Sequence, residues 1–351
     1  MPTTIGLDIG TSAVRAVQMS VGRSGAKLER LGQVRLLDSS VRDGEIADPD
    51  QVADALRTLW RDWKFKGKKV ALGVANQQVV VRQVDLPWLP EAELRESIQF
   101  QVQEYIPIPL DQATLDYQVL EEYENAEGQR FVRVLVVAAQ SLMVDAILQS
   151  IRKAKLEPTL LDLDAFALLR ALAPGDVIAE RTGEMLVDIG SAVTNVVVHE
   201  NGVPRFVRVL LMGGHAISDG LMSALGLTFE EAEQTKASLG LPPPGAPAPE
   251  GEAARIVAER ADRFVDEVRG SLDYYTAQTD AVPVERVLLT GGGALLRNLP
   301  DRLQQALRVP VEVAQPLETL ALGKVGLDDA QLGQAEPFLS VAIGLALGAA
   351  E

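Results

Sequence analysis

Cysteine is absent from this 351-residue sequence, and histidine occurs only twice, at His199 and His215. A chain without cysteine has no disulfide, no thiolate metal ligand and no thiol nucleophile, and it suits a reducing compartment. Two histidines argue against a histidine-based metal site, so each is expected to have a structural role.

Positive charge is also scarce, because 33 Lys and Arg face 49 Asp and Glu, which gives a formal net charge of −16. A chain this acidic is not expected to bind nucleic acid or to dock directly on anionic lipid. Hydrophobic residues make up 47% of it and charged residues 23%, which is typical of a soluble globular protein. Its length predicts about two or three domains.

Long apolar runs are missing as well. The longest one near the C-terminus, FLSVAIGLALGAA, has about 13 residues, whereas a membrane-spanning helix needs about 20. Its small side chains favour a helix packed inside the protein. The chain runs from Met1 to Thr4 directly into an apolar strand without a basic segment, so no signal peptide is expected. We predict a cytoplasmic protein.

One pattern occurs twice, about half a chain apart, as LDIGTSAVRAV and VDIGSAVTNVV. In each copy an apolar strand ends in Asp, and glycine, a hydroxyl residue and a second strand follow. Strands alternate with amphipathic helices around both copies, which indicates an α/β class. The sequence therefore predicts two duplicated α/β halves. The matched positions are Asp8 and Asp188, Gly10 and Gly190, and Thr11 and Ser191.

The turn in each copy suits a phosphate group. Glycine lets the backbone come close to a ligand, and successive N–H groups form an anion-binding nest. An Asp beside a polyphosphate makes sense if it holds Mg²⁺, usually through water. Two such turns facing each other would grip the phosphate tail of a nucleotide from both sides. They also offer hydroxyl donors from Thr11, Ser12, Ser191 and Thr194.

A third glycine-rich turn, TGGGALLRNLP, follows an apolar strand in the second half. Three consecutive glycines leave no side chain between backbone and ligand, which suits a flat adenosine. A single turn of this kind is equally an ordinary loop. Three such turns in this order, each after an apolar strand, favour a nucleotide site.

These turns resemble the phosphate-1, phosphate-2 and adenosine motifs of the actin-like ATPase superfamily. The resemblance implies an actin-like ATPase fold that binds ATP and Mg²⁺, with Asp8 and Asp188 at the metal. The segment TFEEAEQTKASLG resembles a helix that supplies Glu233 and Lys236 to the ribose and adenine, although this pair is equally an i,i+3 surface ion pair. The implied ATP contacts are Asp8, Gly10, Thr11, Ser12, Arg15, Asp188, Gly190, Ser191, Thr194, Asn195, Gly213, Gly214, Glu233, Lys236, Gly291, Gly292 and Gly293.

The stretch VDLPWLPEAELRESIQFQVQEYIPIPLDQATLDYQVL narrows the branch. It is similar to the signature of the PilM family of type IV pilus assembly proteins, which is FtsA-like, and the resemblance covers essentially the whole chain. It implies a cytoplasmic adaptor that binds the N-terminal cytoplasmic tail of the inner-membrane protein PilN, in a groove between the first and the inserted subdomains. One helical stripe either contacts this tail or belongs to the core: Leu94, Ile98, Val102 and Tyr105.

The resemblance also divides the chain into subdomains. An inserted FtsA-like subdomain, 1C, would interrupt subdomain 1A, and a mostly helical subdomain, 2B, would interrupt subdomain 2A. The predicted segments are 1–85, 159–183 and 321–351 for 1A, 86–158 for 1C, 184–213 and 281–320 for 2A, and 214–280 for 2B.

The sequence departs from the superfamily at two places. Arg15 stands where the family usually has Lys, which keeps the charge but changes its geometry. Hydrolytic relatives have a water-orienting Glu or Gln near LLDLDAFALL, where this chain offers Leu163 between Asp162 and Asp164. Because water positioning is central to phosphoryl transfer, we expect slow or no ATP hydrolysis and assign no catalytic residue.

Two alternatives remain at this stage. An FtsA-like filament protein of the division machinery usually ends in a basic amphipathic helix, whereas this chain ends in LSVAIGLALGAAE. A small-molecule kinase of the same superfamily would share the three turns but has no use for the inserted block. Both alternatives are therefore less favoured than the pilus adaptor.

Overall fold

The computed structural model describes residues 3–22, 25–173, 182–247 and 249–350. The strands are β1 Thr3–Ile9, β2 Ala13–Gly22, β3 Gly25–Arg35, β4 Val41–Arg42, β5 Glu45–Ile46, β6 Lys69–Val74, β7 Val79–Pro87, β8 Ala113–Glu124, β9 Arg130–Gln140, β10 Glu157–Leu163, β11 Gly183–Ile189, β12 Thr194–Glu200, β13 Val203–Leu210, β14 Val284–Thr290, β15 Val311–Val313 and β16 Ala321–Leu322. The helices are α1 Pro49–Asp62, α2 Glu91–Gln101, α3 Ser141–Lys153, α4 Asp164–Leu172, α5 His215–Leu225, α6 Phe229–Leu239, α7 Glu252–Thr276, α8 Leu299–Leu307, α9 Asp329–Ala335 and α10 Ser340–Gly348.

The chain forms two compact units. Unit 2 is Asn76–Ser150, and unit 1 comprises the described residues before and after it. Unit 2 begins and ends earlier in the chain than the predicted inserted segment, 86–158. The physical reason is strand pairing: β7 is hydrogen-bonded to β9 inside unit 2, whereas β10 is hydrogen-bonded to β6 inside unit 1. The other predicted subdomain boundaries stay predictions.

Unit 1 contains two sheets with the same strand pattern. Their orders are β10-β6-β1-β2-β3-β16 and β13-β12-β11-β14-β15. In each, three consecutive antiparallel strands are followed by a strand that pairs in parallel with the first of the three. The register repeats as well, because Asp8 lies opposite Arg15 and Asp188 lies opposite Asn195. The topology therefore confirms the duplicated α/β halves.

The second half is built around a strand that is apolar along nearly its whole length. Strand β11 lies between β12 and β14, and most of its side chains are buried, as expected for a strand covered on both faces. Helix α7 contributes residues at helical spacing to the same core, and this stripe is typical of an amphipathic helix. The stripe consists of Val257, Ala261, Phe264, Val268 and Leu272.

The apolar C-terminal run forms the packed helix that the sequence predicts. In α10, all residues from Ser340 to Ala346 are buried. A methyl group at Gly6 of β1 would overlap the carbonyl oxygen of Ala342, and one at Gly344 would overlap that of Ala167 in α4. These two glycines let α10 lie directly against the first sheet and α4. Among the described residues, no helix is long and apolar enough to cross a membrane.

Unit 2 is a three-stranded antiparallel sheet, in the order β7-β9-β8, with α2 on one face. The α2 side chains Leu94 and Ile98 and the following Val102 are buried among the even-numbered side chains of β7 and β9. Helix α2 ends at Gln101, and Tyr105 is 48% exposed. Three residues of the predicted peptide-contacting stripe thus belong to the core of unit 2, and Tyr105 lies at its surface.

Candidate functional site

The two hairpin turns of unit 1 have equivalent backbone geometry. The N–H of Gly10 donates to the carbonyl of Ala13 at 3.1 Å, and the N–H of Gly190 donates to that of Val193 at 2.9 Å. A methyl group on Gly190 would lie 2.6 Å from the same Val193 oxygen, so this turn closes only with glycine. The turn residues that the sequence predicts as hydroxyl donors, Thr11, Ser12 and Ser191, are partly exposed.

Each turn carries a partly buried carboxylate with one polar partner on the opposite strand. Arg15 Nη1 donates to Asp8 Oδ2 at 3.3 Å, and Asn195 Nδ2 donates to Asp188 Oδ2 at 3.2 Å. Burial, together with the charge of Asp8, raises the pKa of Asp188 to about 6. The hydrogen bond from Asn195 acts in the opposite direction. Burial also raises the pKa of Asp8, although Arg15 opposes it. The two carboxylates therefore lie close enough to repel each other.

Asp164, the first residue of α4, is a third carboxyl near these two, and it is buried. Burial raises its pKa well above the usual range, and the charges of Asp8 and Asp188 raise it further. A methyl group on Gly73 of β6 would overlap Asp164 Oδ1. The sequence drew attention to the Asp162–Asp164 region without assigning a role, because nothing in it showed that Asp164 faces the two hairpin aspartates.

Unsatisfied polar atoms concentrate around these three carboxyls. In the described part of the chain, four buried side-chain nitrogen or oxygen atoms have no hydrogen-bond partner. Three of them belong to the groups just described: Arg15 Nε, Asp164 Oδ1 and Asn195 Oδ1; the fourth is Thr4 Oγ1. Buried polar atoms are nearly always satisfied, so a cluster of unsatisfied ones fits a site that a polar ligand completes.

The donor set fits a magnesium–phosphate group. Within the described ranges, no three His, Asp or Glu side chains are arranged to hold a metal ion directly. Mg²⁺ keeps several waters and is commonly held by one or two carboxylates together with substrate phosphates. Asp8 and Asp188 would hold such an ion, and Arg15 supplies positive charge beside them.

We expect Asp164→Asn to stabilise the ligand-free protein by roughly 1–3 kcal/mol at pH 7.5, because a buried, unpaired carboxyl is costly. A carboxyl whose pKa is raised on folding lowers stability as pH rises from its unfolded pKa, about 4, through its folded pKa. The gain from the variant should therefore be small at pH 4 and larger at pH 7.5. Urea unfolding at both pH values measures it, and an equal gain at the two would contradict the assignment.

The loop before α5 lies directly over the second turn. The N–H of Gly214 donates to the carbonyl of Gly190 at 3.0 Å, and a methyl group on Gly213 would come within 2.5 Å of the Ser191 oxygen. Thr194 is fully buried, and its hydroxyl donates to the Met212 carbonyl at 2.7 Å. The structure thus brings the predicted Gly213 and Gly214 to the second hairpin turn, and it gives the Thr194 hydroxyl a protein partner.

Glu233 and Lys236 of α6 form an i,i+3 ion pair that is tied to this loop. Lys236 Nζ donates to Glu233 Oε1 at 2.5 Å, to Ser218 Oγ at 2.9 Å and to the Gly214 carbonyl at 3.2 Å. Burial acts to raise the pKa of Glu233, but the hydrogen bonds from Lys236 and Ser218 outweigh it and hold this pKa below its usual value. The pair is therefore anchored beside the second hairpin turn.

The third turn fits tightly against the end of β11. A methyl group on Gly291 would lie 2.5 Å from Asp188 Oδ1, and one on Gly293 would overlap the side chain of Ile189. One on Gly292 would lie 2.5 Å from Phe338. Protein packing therefore requires these glycines, in addition to any role in adenosine binding, which stays a prediction. Phe338 was not singled out from the sequence, since about 45 residues separate it from this turn.

Unit 2 carries a separate groove between α2 and the edge strand β8. The cavity has a volume of about 1110 Å³. Its apolar lining includes Leu94, Ile98, Leu115 and Tyr117, and acidic residues outnumber Arg95, the one basic residue that lines it in the described part of the chain. Strand β8 pairs only with β9 among the described strands, so its outer edge can accept another strand.

Comparison with known proteins assigns the family. The model of type IV pilus assembly protein PilM matches residues 6–350. The chain belongs to the PilM family. A chain of a solved PilM–PilN type IV pilus biogenesis complex is 27% identical, with a TM-score of 0.87 over 99% of this chain and 98% of that one. This similarity spans both units.

More distant relatives share the fold. Cell division protein FtsA of Neisseria meningitidis is 25% identical over 379 positions, which cover 97% of this chain and 88% of FtsA. MreB5 of Spiroplasma citri bound to ADP is 14% identical, with a TM-score of 0.53 over 99% of this chain and 96% of that one. The expected actin-like ATPase fold is confirmed.

Proposed function

We propose that this chain is an ATP-binding adaptor of the type IV pilus inner-membrane assembly platform. It binds Mg-ATP in the cleft of unit 1 and the N-terminal cytoplasmic tail of PilN through unit 2. Nucleotide binding is supported by the concentration of unsatisfied polar atoms around Asp8, Asp188 and Asp164. Structural neighbours in this fold bind ADP and ATP analogues, which supports the same ligand class.

ATP hydrolysis by this chain is expected to be slow or absent. Asp164 is the acidic side chain that faces the two hairpin aspartates. Burial and its neighbours keep its pKa high, and its side chain is shorter than the Glu or Gln expected in hydrolytic relatives. A short carboxyl whose pKa is raised holds its proton more tightly, which makes it a poor group for orienting an attacking water.

Two observations support PilN as the binding partner. A similar chain, 27% identical, is part of a solved PilM–PilN complex. Unit 2 of this chain has a groove of mixed polar and apolar lining next to an open strand edge, and an open edge can receive an extended peptide by strand addition. Leu94 and Ile98 form part of the groove wall while they also pack in the core.

Nucleotide and peptide binding are proposed to be coupled. ATP contacts both halves of unit 1, so it would stabilise their closed arrangement in proportion to its affinity difference between closed and open states. The tail would respond if its affinity also differs between these states. This chain would then hold PilN differently with ATP and without it.

The experiment that tests the function is calorimetric titration with a synthetic peptide of the PilN N-terminal tail. It is run with Mg-ATP, with Mg-ADP and without nucleotide, after direct titration of each nucleotide. Saturable peptide binding that changes with nucleotide is expected. Binding that is indifferent to nucleotide would remove the coupling, and no binding by the folded protein in any state would remove the pilus assignment.

Groove variants make the peptide test specific. Leu115→Arg places a charge at one of the apolar residues that line the groove and is expected to weaken tail binding about tenfold or more, since a desolvated apolar contact is lost. Leu142→Arg is the matched control, because Leu142 is 81% exposed in the same unit and does not line the groove. Equal affinities of the two variants would place the tail elsewhere on the protein.

A second candidate function is FtsA-like filament formation. It is favoured by the 25% identity to FtsA over nearly the whole chain. Co-sedimentation with Mg-ATP and electron microscopy of the pellet test it, and filaments that form at micromolar protein would support this candidate.

A further inference from the structure

A short segment before α10 joins the third turn to the first half of unit 1. The Pro337 carbonyl accepts the N–H of Gly291 at 2.7 Å and the hydroxyl of Thr290 at 3.0 Å. Thr290 also shares a hydrogen bond of 2.7 Å with Ser340, the first residue of α10. Because α10 packs on β1 and α4, the segment is fixed from both sides.

Phe338 lies in this segment and contacts two of the nucleotide motifs at once. A methyl group on Gly292 would lie only 2.5 Å from Cε1 at the edge of its ring. Its ring centroid is 5.2 Å from Arg15 Cζ, within the range of a cation–π contact. The ring therefore bridges the cation of the first turn and the backbone of the third.

The chemistry of this contact matters for an anion. Arg15 Nη1 is weakly bonded to Asp8 and lies beside the first turn, 3.2 Å from the position of a Gly10 methyl group, while its buried Nε has no partner. A second carboxylate could hold the guanidinium but would cancel its charge. An aromatic face holds the cation without cancelling it, so the charge stays available to a phosphate.

The contact also explains the residue type at position 15. A guanidinium is planar and stacks on a ring while its remaining N–H groups point outward in a fixed fork. A lysine ammonium on a flexible stem gains less from the same ring and presents no fork. The departure from lysine noted in the sequence is thus matched by an aromatic residue more than 300 positions away.

We infer that Phe338 is a positioning residue, which holds the Arg15 guanidinium over its ring so that the free N–H groups meet the phosphate chain of the nucleotide. The inference rests on the proposed binding of Mg-ATP in this cleft. Phe338 thereby sets how strongly the site prefers a nucleotide to a nucleoside, and it ties phosphate contact at the first turn to the third turn through Pro337.

The experiment compares Phe338→Leu, which keeps an apolar side chain, with Phe338→Tyr, which keeps the ring. Each is titrated with Mg-ATP and with adenosine, and thermal unfolding without ligand checks that the variants are folded. Phe338→Leu is expected to weaken Mg-ATP binding about five- to tenfold, the size of a partly desolvated cation–π contact. Adenosine binding should change less than about twofold, and Phe338→Tyr should stay near the wild type.

A double-mutant cycle with Arg15→Lys separates positioning from general packing. If Phe338 acts through Arg15, its loss should cost much less Mg-ATP affinity in the Arg15→Lys background than in the wild type. Equal weakening of Mg-ATP and adenosine by Phe338→Leu, or additive effects in the cycle, would overturn the inference. If the folded wild type binds neither Mg-ATP nor adenosine, the proposed nucleotide site fails, and that outcome is distinct from a wild type that binds while Phe338→Leu has no effect.

Discussion

The Asp188→Ala variant is expected to bind Mg-ATP about 10- to 100-fold more weakly than the wild type, the range seen when a group that orients a metal site is removed. At pH 7.5 Asp188 is mainly ionised, because its pKa is about 6. Its charge, together with that of Asp8, would attract the magnesium ion of the complex. Isothermal titration at this pH, with Mg²⁺ in excess, measures the loss.

The loss of ATP affinity caused by Asp188→Ala should disappear or reverse when the metal is removed. In EDTA, the wild-type carboxylates face a bare triphosphate, and like charges at close range repel. Asp188→Ala is therefore expected to bind ATP in EDTA at least as tightly as the wild type does. Asp262→Asn serves as the control, because Asp262 of α7 forms a half-exposed ion pair with Arg302 of α8 and should behave as the wild type in both buffers. Weaker binding of Asp188→Ala in EDTA would show that Asp188 does not act through a metal.

Both hairpin turns and their relation could be predicted from sequence because the determining signals are local. An apolar strand that ends in Asp-Ile-Gly, followed by a hydroxyl residue and a second strand, specifies a tight turn wherever it occurs. The same pattern at Asp8 and Asp188 then implies two similar sheets, and the strand registers confirm this. The Gly291–Gly293 turn could be predicted in the same way, because its glycines follow an apolar strand in the sequence.

The roles of Asp164 and Phe338 could not be predicted in this way. Asp164 reaches the hairpin aspartates because β10 pairs in parallel with β6, and the partner of a parallel strand is far away in the sequence. Phe338 approaches Arg15 only through the packing of α10. That β7 belongs to unit 2 could not be predicted for the same reason, since its partner β9 follows about 50 residues later.

The Gly291→Ala variant is expected to lower the free energy of unfolding by about 3 kcal/mol or more, because it combines backbone strain with overlap in a packed site. Gly291 has φ of 80° and ψ of 166°, a backbone conformation that residues other than glycine rarely adopt. Its added methyl group would lie 2.5 Å from both Asp188 Oδ1 and the Ile189 carbonyl oxygen. Urea unfolding without ligand measures the change.

Gly251 provides a matched control for the strain alone. It has φ of 87° and ψ of 150°, and no atom lies within 4 Å of a methyl group placed on it. Gly251→Ala should therefore cost only the strain of the backbone, about 1–3 kcal/mol, and leave Mg-ATP binding unchanged. The excess loss in Gly291→Ala then reports the overlap with Asp188 and Ile189. If both variants lose the same stability and only Gly291→Ala loses nucleotide affinity, Gly291 is required by the ligand rather than by the carboxylate that it contacts.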